Sequence, residues 1–156
     1  MRMYEKLNSL KKRLQQMKQN RTTRQNGQAF HFSPFSKKQK QVLTWWCKES
    51  PVHDKDGIIA DGAIRSGKTV SMSLSFVMWA MSSFAGQNFA MCGKTIGSFR
   101  RNVLFWLKLM LRSRGYSITD HRADNLVVVR KNGIENYFYI FGGKDERSQD
   151  LIQGIT

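Results

Sequence analysis

Gly62-Ala63-Ile64-Arg65-Ser66-Gly67-Lys68-Thr69 is the stretch on which the reading of this chain turns. Two glycines bracket four variable positions, and Lys-Thr follows at once, which is the full pattern of a phosphate-binding loop. Each residue type has a task. The glycines let the backbone curl so that successive N–H groups converge on an anion. A helix beginning at the end of the loop adds its unpaired N-terminal donors and the positive end of its dipole. Lys68 is placed to reach the β- and γ-phosphates of a nucleotide, and the Thr69 hydroxyl to ligate Mg²⁺.

The flanks support that reading. Gly57-Ile58-Ile59-Ala60-Asp61 is expected to be a short buried strand running into the loop, and residues 70–84 a helix leaving it. From Thr69 to Gly93 there is no charged residue. Repeated serines and then Gly86-Gln87-Asn88 break this stretch, so a buried helix, a turn and a buried strand at Phe89–Cys92 fit better than a membrane span. Ser98–Arg114 reads as a helix with Phe99, Val103, Trp106, Leu107 and Met110 on one face. Further on, Leu126–Val129 and Tyr137–Phe141 are strands by their β-branched and aromatic content. Asn132-Gly133 between them marks a hairpin turn.

Upstream, Ser36 is a plausible N-cap for a helix over 37–48, with Val42, Leu43, Trp45 and Trp46 on its apolar side. Residues 1–28 read as a basic helical arm and linker. There Met3, Leu7, Leu10, Leu14 and Met17 recur at heptad spacing, too briefly for a coiled coil alone.

Composition narrows the partners. The chain has 156 residues, with 26 Lys and Arg against 11 Asp and Glu, a formal net charge of +15. An excess of that size attracts polyanions and points to nucleic acid. Cys47 and Cys92 form no CxxC pair or disulfide framework. His31, His53 and His121 are scattered without metal-ligand spacing or a neighbouring nucleophile pattern. Zinc sites and a Ser/His hydrolase are thereby unsupported.

The loop with Arg65 in its variable part resembles the ATPase motif of large terminase subunits, the DNA-packaging motors of tailed bacteriophages. The resemblance extends to an aromatic, Gln-containing segment upstream, Phe35-Ser36-Lys37-Lys38-Gln39-Lys40-Gln41, which in that family contacts adenine. It implies Gln39, or else Gln41, as the adenine reader. Cys92-Gly93-Lys94-Thr95 with Ser98-Phe99-Arg100-Arg101 is similar to the segment after the family's second strand, and implies Arg100 or Arg101 as a finger acting on a neighbouring subunit's nucleotide. Tyr137–Gly143 with Ser148–Gly154 resembles the approach to the acidic motif.

What the resemblance implies is an α/β P-loop NTPase with a three-layer core of the additional-strand type. Residues 29–156 would supply the N-terminal part of that ATPase domain, with an incomplete sheet. Its ligands would be ATP and Mg²⁺, and its larger partners double-stranded DNA, a small terminase subunit, the portal and other copies in a ring. The compartment would be the bacterial host's cytoplasm. Asp145-Glu146 is expected on a loop beyond Gly142-Gly143, with the true acidic motif just past Thr156 and the nuclease domain outside this chain. On that reading the isolated chain binds nucleotide weakly and hydrolyses it very slowly. Three other classes stay open: a helicase- or recombinase-like ATPase, a kinase-type P-loop transferase, and a non-enzymatic basic DNA-binding protein.

Overall fold

The computed structural model describes residues 33–143. The basic arm, Asp145-Glu146 and the Ser148–Gly154 segment lie outside the described residues.

Helix α1 covers Lys37–Leu43 and is closed at its start by a capping box. The Ser36 hydroxyl accepts from the Gln39 backbone N–H, and the Gln39 side chain accepts from the Ser36 N–H. It stops at Leu43, earlier than the apolar pattern suggests, and turns follow. Helix α2, Lys68–Ser83, is the central element. Its small polar positions allow close approach to α1, with Ser75 fully covered and donating to the Leu43 carbonyl at 3.2 Å. Leu74, Val77 and Ala80 are wholly buried, and each large apolar side chain so covered contributes about 1.5–3 kcal/mol.

Strand β1, Asn88–Gly93, follows. One long helical stretch comes next, made of α3 (Ile96–Phe99), a π-helical segment (Arg100–Leu104) and α4 (Phe105–Arg112). The π-segment rotates the apolar face. Leu104, Leu107, Met110 and Leu111 are buried, whereas Trp106, expected on that face, is 38% exposed. A regular 3.6-residue period could not anticipate the wider turn.

Strands β2 (Ser117–His121), β3 (Leu126–Lys131) and β4 (Ile134–Gly142) complete a sheet in the order β1-β4-β3-β2. The β3–β4 hairpin turns at Asn132 and Gly133, both at positive φ, as the Asn-Gly signal requires. The β1–β4 pair is parallel, with Phe89 opposite Phe138 and Met91 opposite Ile140. Phe89 stacks on Phe138 at 5.1 Å between ring centres, and Phe76, Trp79 and Phe84 surround it edge-on. Such pairs add about 0.5–1.5 kcal/mol each beyond their burial.

The expected strand at 57–61 is not formed. The segment has no regular secondary structure, and Ile59 is 95% exposed. A strand exists only through its ladder, and none of the described strands pairs with this segment. The described residues make a mixed α/β unit with a four-stranded sheet. Among them α2 contacts β3 and β4, and α4 contacts β2. The opposite face leaves Ala90 and Cys92 exposed. No described helix is long and apolar enough to cross a membrane.

Candidate phosphate-binding site

The loop Gly62–Thr69 joins the 57–61 segment to the start of α2. Gly62 and Gly67 take φ of 145° and 83°, conformations that favour glycine, and Arg65 adopts φ 64° despite its side chain. A non-glycine residue held there stores about 1–2 kcal/mol of strain, a feature that clusters at ligand-binding turns. Gly67 is the N-cap of α2 and offers no side-chain cap, so the first N–H groups of the helix are left without one.

Lys68 is folded back over the loop. Its Nζ donates to the carbonyls of Gly62 at 2.5 Å and Ala63 at 2.7 Å, with the Ser66 hydroxyl at 3.4 Å. The ammonium thus gathers the loop around itself, and an incoming phosphate would compete with these carbonyls for it. Asp61 accepts from the Gly62 N–H at 2.7 Å and steadies the loop's first residue. Ile64 and Arg65 project outward, Ile64 with 93% of its surface exposed.

Thr69, in the first turn of α2, is exposed, and among the described residues its side chain has no hydrogen-bond partner. A hydroxyl in that position suits an oxygen-seeking cation such as Mg²⁺. Among the described residues no cluster of three acidic, His or Cys side chains surrounds a metal position.

Beside Thr69 lies an open depression of about 400 Å³, lined by Ser73, Lys94, Ser98 and Asn102 among others. Gly93 and Gly142 allow this arrangement. A Cβ on Gly93 would stand 2.9 Å from Phe99, and one on Gly142 would stand 3.2 Å from the Ile96 nitrogen, so α3 seats directly on the strand ends. The sequence assigns Lys94 no role of its own, although it sits where ligands gather in α/β sheets, just outside the carboxyl end of a strand. A second, more apolar cavity of about 440 Å³ lies between α1, α2, β1 and the 57–61 segment, with Trp45, Ile58, Phe76 and Met91 in its wall.

The two glutamines separate. Gln39 donates from Nε2 to the Ser66 carbonyl at 2.9 Å and therefore touches the loop. Gln41 is exposed and faces a different recess with Thr44, Cys47 and Glu49.

The two arginines separate as well. Arg100 donates to Asp120 at 2.7 Å and approaches Asn125 at 3.5 Å, and Lys108 closes on the other carboxylate oxygen at 2.7 Å. Burial pushes the Asp120 carboxyl up, but the hydrogen bonds from Lys108 and Arg100 outweigh it and hold the carboxyl below its usual range. Arg101, in contrast, is exposed.

No protein-family profile and no curated protein matches the chain. Solved structures do. The chain is 68% identical to the large terminase of a thermophilic bacteriophage over 80% of its own length, with a TM-score of 0.76. It is 67% identical, over 75% of its length and with a TM-score of 0.73, to the same terminase in complex with ADP. Against the complex with ATP-gamma-S the figures are 64%, 72% and 0.69. The matches cover 28–30% of those chains, so the chain spans less than a third of the proteins it resembles. With 64–68% identity over 70–80% of its residues, the chain belongs to the large terminase family.

Proposed function

We propose that the chain is the ATP-binding part of a phage large terminase, built on a three-layer P-loop NTPase core of the additional-strand type. The observation that carries this is the loop itself. Gly62, Ala63, Ile64, Arg65, Ser66 and Gly67 form a turn with two glycines at positive φ, and Lys68 and Thr69 open a 16-residue helix. The relatives solved with ADP and ATP-gamma-S supply the ligand class.

In this reading the Lys68 ammonium leaves the carbonyls of Gly62 and Ala63 for the β- and γ-phosphates. The N–H groups from Gly67 onward meet the same anion, and Arg65 sits at the loop's outer rim. Bound Mg²⁺ would neutralise phosphate charge, with the Thr69 hydroxyl as one of its oxygen ligands. Gln39 lies against the loop, which supports it over Gln41 as the adenine reader. Arg101 is the better trans finger, because Arg100 is engaged by Asp120 within its own chain. In the whole protein this part drives packaging of double-stranded DNA into the procapsid, in a ring of copies that meets the portal and the small terminase subunit in the host cytoplasm. The net charge of +15 suits the polyanionic cargo.

The test is calorimetric titration with ADP and Mg²⁺. Lys68→Ala removes the loop's one ammonium and should weaken binding about 10- to 100-fold, the range of hydrogen bonds to a charged ligand. Salt-sensitive DNA binding with no nucleotide binding at all would refute the proposal in favour of a simple basic DNA-binding protein.

A further inference from the structure

We propose that Gln39 is a positioning residue of the phosphate loop, acting on the phosphates of a nucleotide through Ser66 and Gly67 whatever base the nucleotide carries. The proposal presupposes that Gly62–Thr69 is a phosphate site.

The Gln39 amide is held at both ends. Its Oε1 accepts from the Ser36 N–H at 2.9 Å, and its Nε2 donates to the Ser66 carbonyl at 2.9 Å. Because the first partner only donates and the second only accepts, the amide has one orientation that satisfies both. The bond to Ser66 spans 27 residues and ties the capped start of α1 to the turn that opens α2.

Its effect on the loop follows from peptide geometry. In a trans peptide the carbonyl of Ser66 and the N–H of Gly67 point in opposite directions. Holding the Ser66 carbonyl toward Gln39 therefore turns the Gly67 N–H to the other side, as one of the donors offered to an anion. Gln39 also occupies the space over Gly67. A Cβ there would overlap Nε2, so glycine at 67 is needed for the amide as well as for the left-handed φ of 83°.

Among the described residues the amide keeps one N–H and one oxygen lone pair unused, so adenine reading and loop holding are compatible and must be separated by the ligand. Inorganic tripolyphosphate has no base. In the full chain, Gln39→Met preserves side-chain length and removes the bond to Ser66. Ser36→Ala removes the hydroxyl half of the capping box and leaves that bond intact. Gln39→Met is expected to weaken tripolyphosphate roughly tenfold, the cost of misaligning one hydrogen bond to a charged ligand, and ADP by at least that factor, any excess measuring adenine reading. Ser36→Ala should leave both affinities within about twofold.

In ¹⁵N-labelled chain, the Gly67 amide signal should move on adding tripolyphosphate to the wild type. It should stay in place in Gln39→Met at saturating ligand, a response that loss of helix stability alone would not produce. Weakened ADP binding with unchanged tripolyphosphate binding would overturn the proposal and leave Gln39 as a base reader only. Equal weakening by Ser36→Ala would overturn it in favour of helix capping. If Lys68→Ala leaves tripolyphosphate binding unchanged, the phosphate-site reading itself fails, and the proposal with it.

Discussion

Asn136 is a fully buried amide near the start of β4, and its removal should be among the costlier single changes in the described fold. Its Oδ1 accepts from the Gln87 N–H at 2.9 Å, and its Nδ2 donates to the carbonyls of Phe84 at 2.9 Å and Ala80 at 3.2 Å. One side chain thereby closes the end of α2, holds the turn into β1 and anchors both to β4. In Asn136→Ala the Ala80 carbonyl keeps its bond from Phe84 N–H, but the Phe84 carbonyl and the Gln87 N–H lose the amide. Two net hydrogen bonds at about 1 kcal/mol each, together with the desolvation of two partly covered backbone groups and a small cavity, come to about 3 kcal/mol.

Urea unfolding followed by circular dichroism and tryptophan fluorescence measures this directly. The midpoint in a thermal scan should fall by about 10 °C for a domain of this size. Asn136→Asp sharpens the test. At neutral pH it sets a carboxylate against two carbonyls and should cost at least as much as alanine. Burial would raise that carboxyl's folded-state pKa, so the folded protein takes up the proton first. The deficit relative to wild type should then shrink as pH falls through the raised value. An alanine variant that loses less than about 1 kcal/mol, or a pH-independent deficit for the aspartate variant, would refute the account of Asn136 as a three-way clamp.

Asp120→Ala should cost about 2–3 kcal/mol in urea unfolding, because it leaves Arg100 and Lys108, both largely covered, facing each other without a carboxylate. The wild-type carboxyl is held low, so its stabilisation is full above its unfolded value and fades as pH falls through the lower folded one. The acid limb of stability should therefore flatten in Asp120→Asn. Gly93→Ala should cost about 1–3 kcal/mol by driving a methyl group into Phe99. A thermal scan showing no change would mean that α3 does not sit on the strand end. Gly67→Ala should lose about 1 kcal/mol or more to its left-handed backbone and displace the Gln39 amide, with nucleotide affinity falling alongside.

Local signals in the chain were sufficient wherever the conformation is a local matter. The glycines of Gly62–Thr69 announce their positive-φ turns, Asn132-Gly133 announces the hairpin, and the uncharged run after Thr69 resolves into the helix and strand that its serines and Gly86 delimit. These depend on φ preference and side-chain period, which each residue carries with it. Strand β2 escaped notice because Ser117-Ile-Thr-Asp-His121 is polar at every position but Ile118 and lies at the sheet's edge, where little burial marks it. The π-segment escaped because a widened turn has no residue signature of its own.

The other decisions were made by contacts between distant residues. Nothing near Ile59 says that its strand lacks a neighbour, and nothing near Arg100 says that Asp120, twenty residues on, will claim it. Which of Gln39 and Gln41 touches the loop was likewise undecidable from composition. It depends on which side of one helical turn faces Ser66 once α1 has packed on α2. The amino-acid sequence by itself specified a glycine-bracketed turn opening a helix. Packing across the chain specified which side chains hold that loop, because hydrogen bonds over such separations form only after the core has brought their partners together.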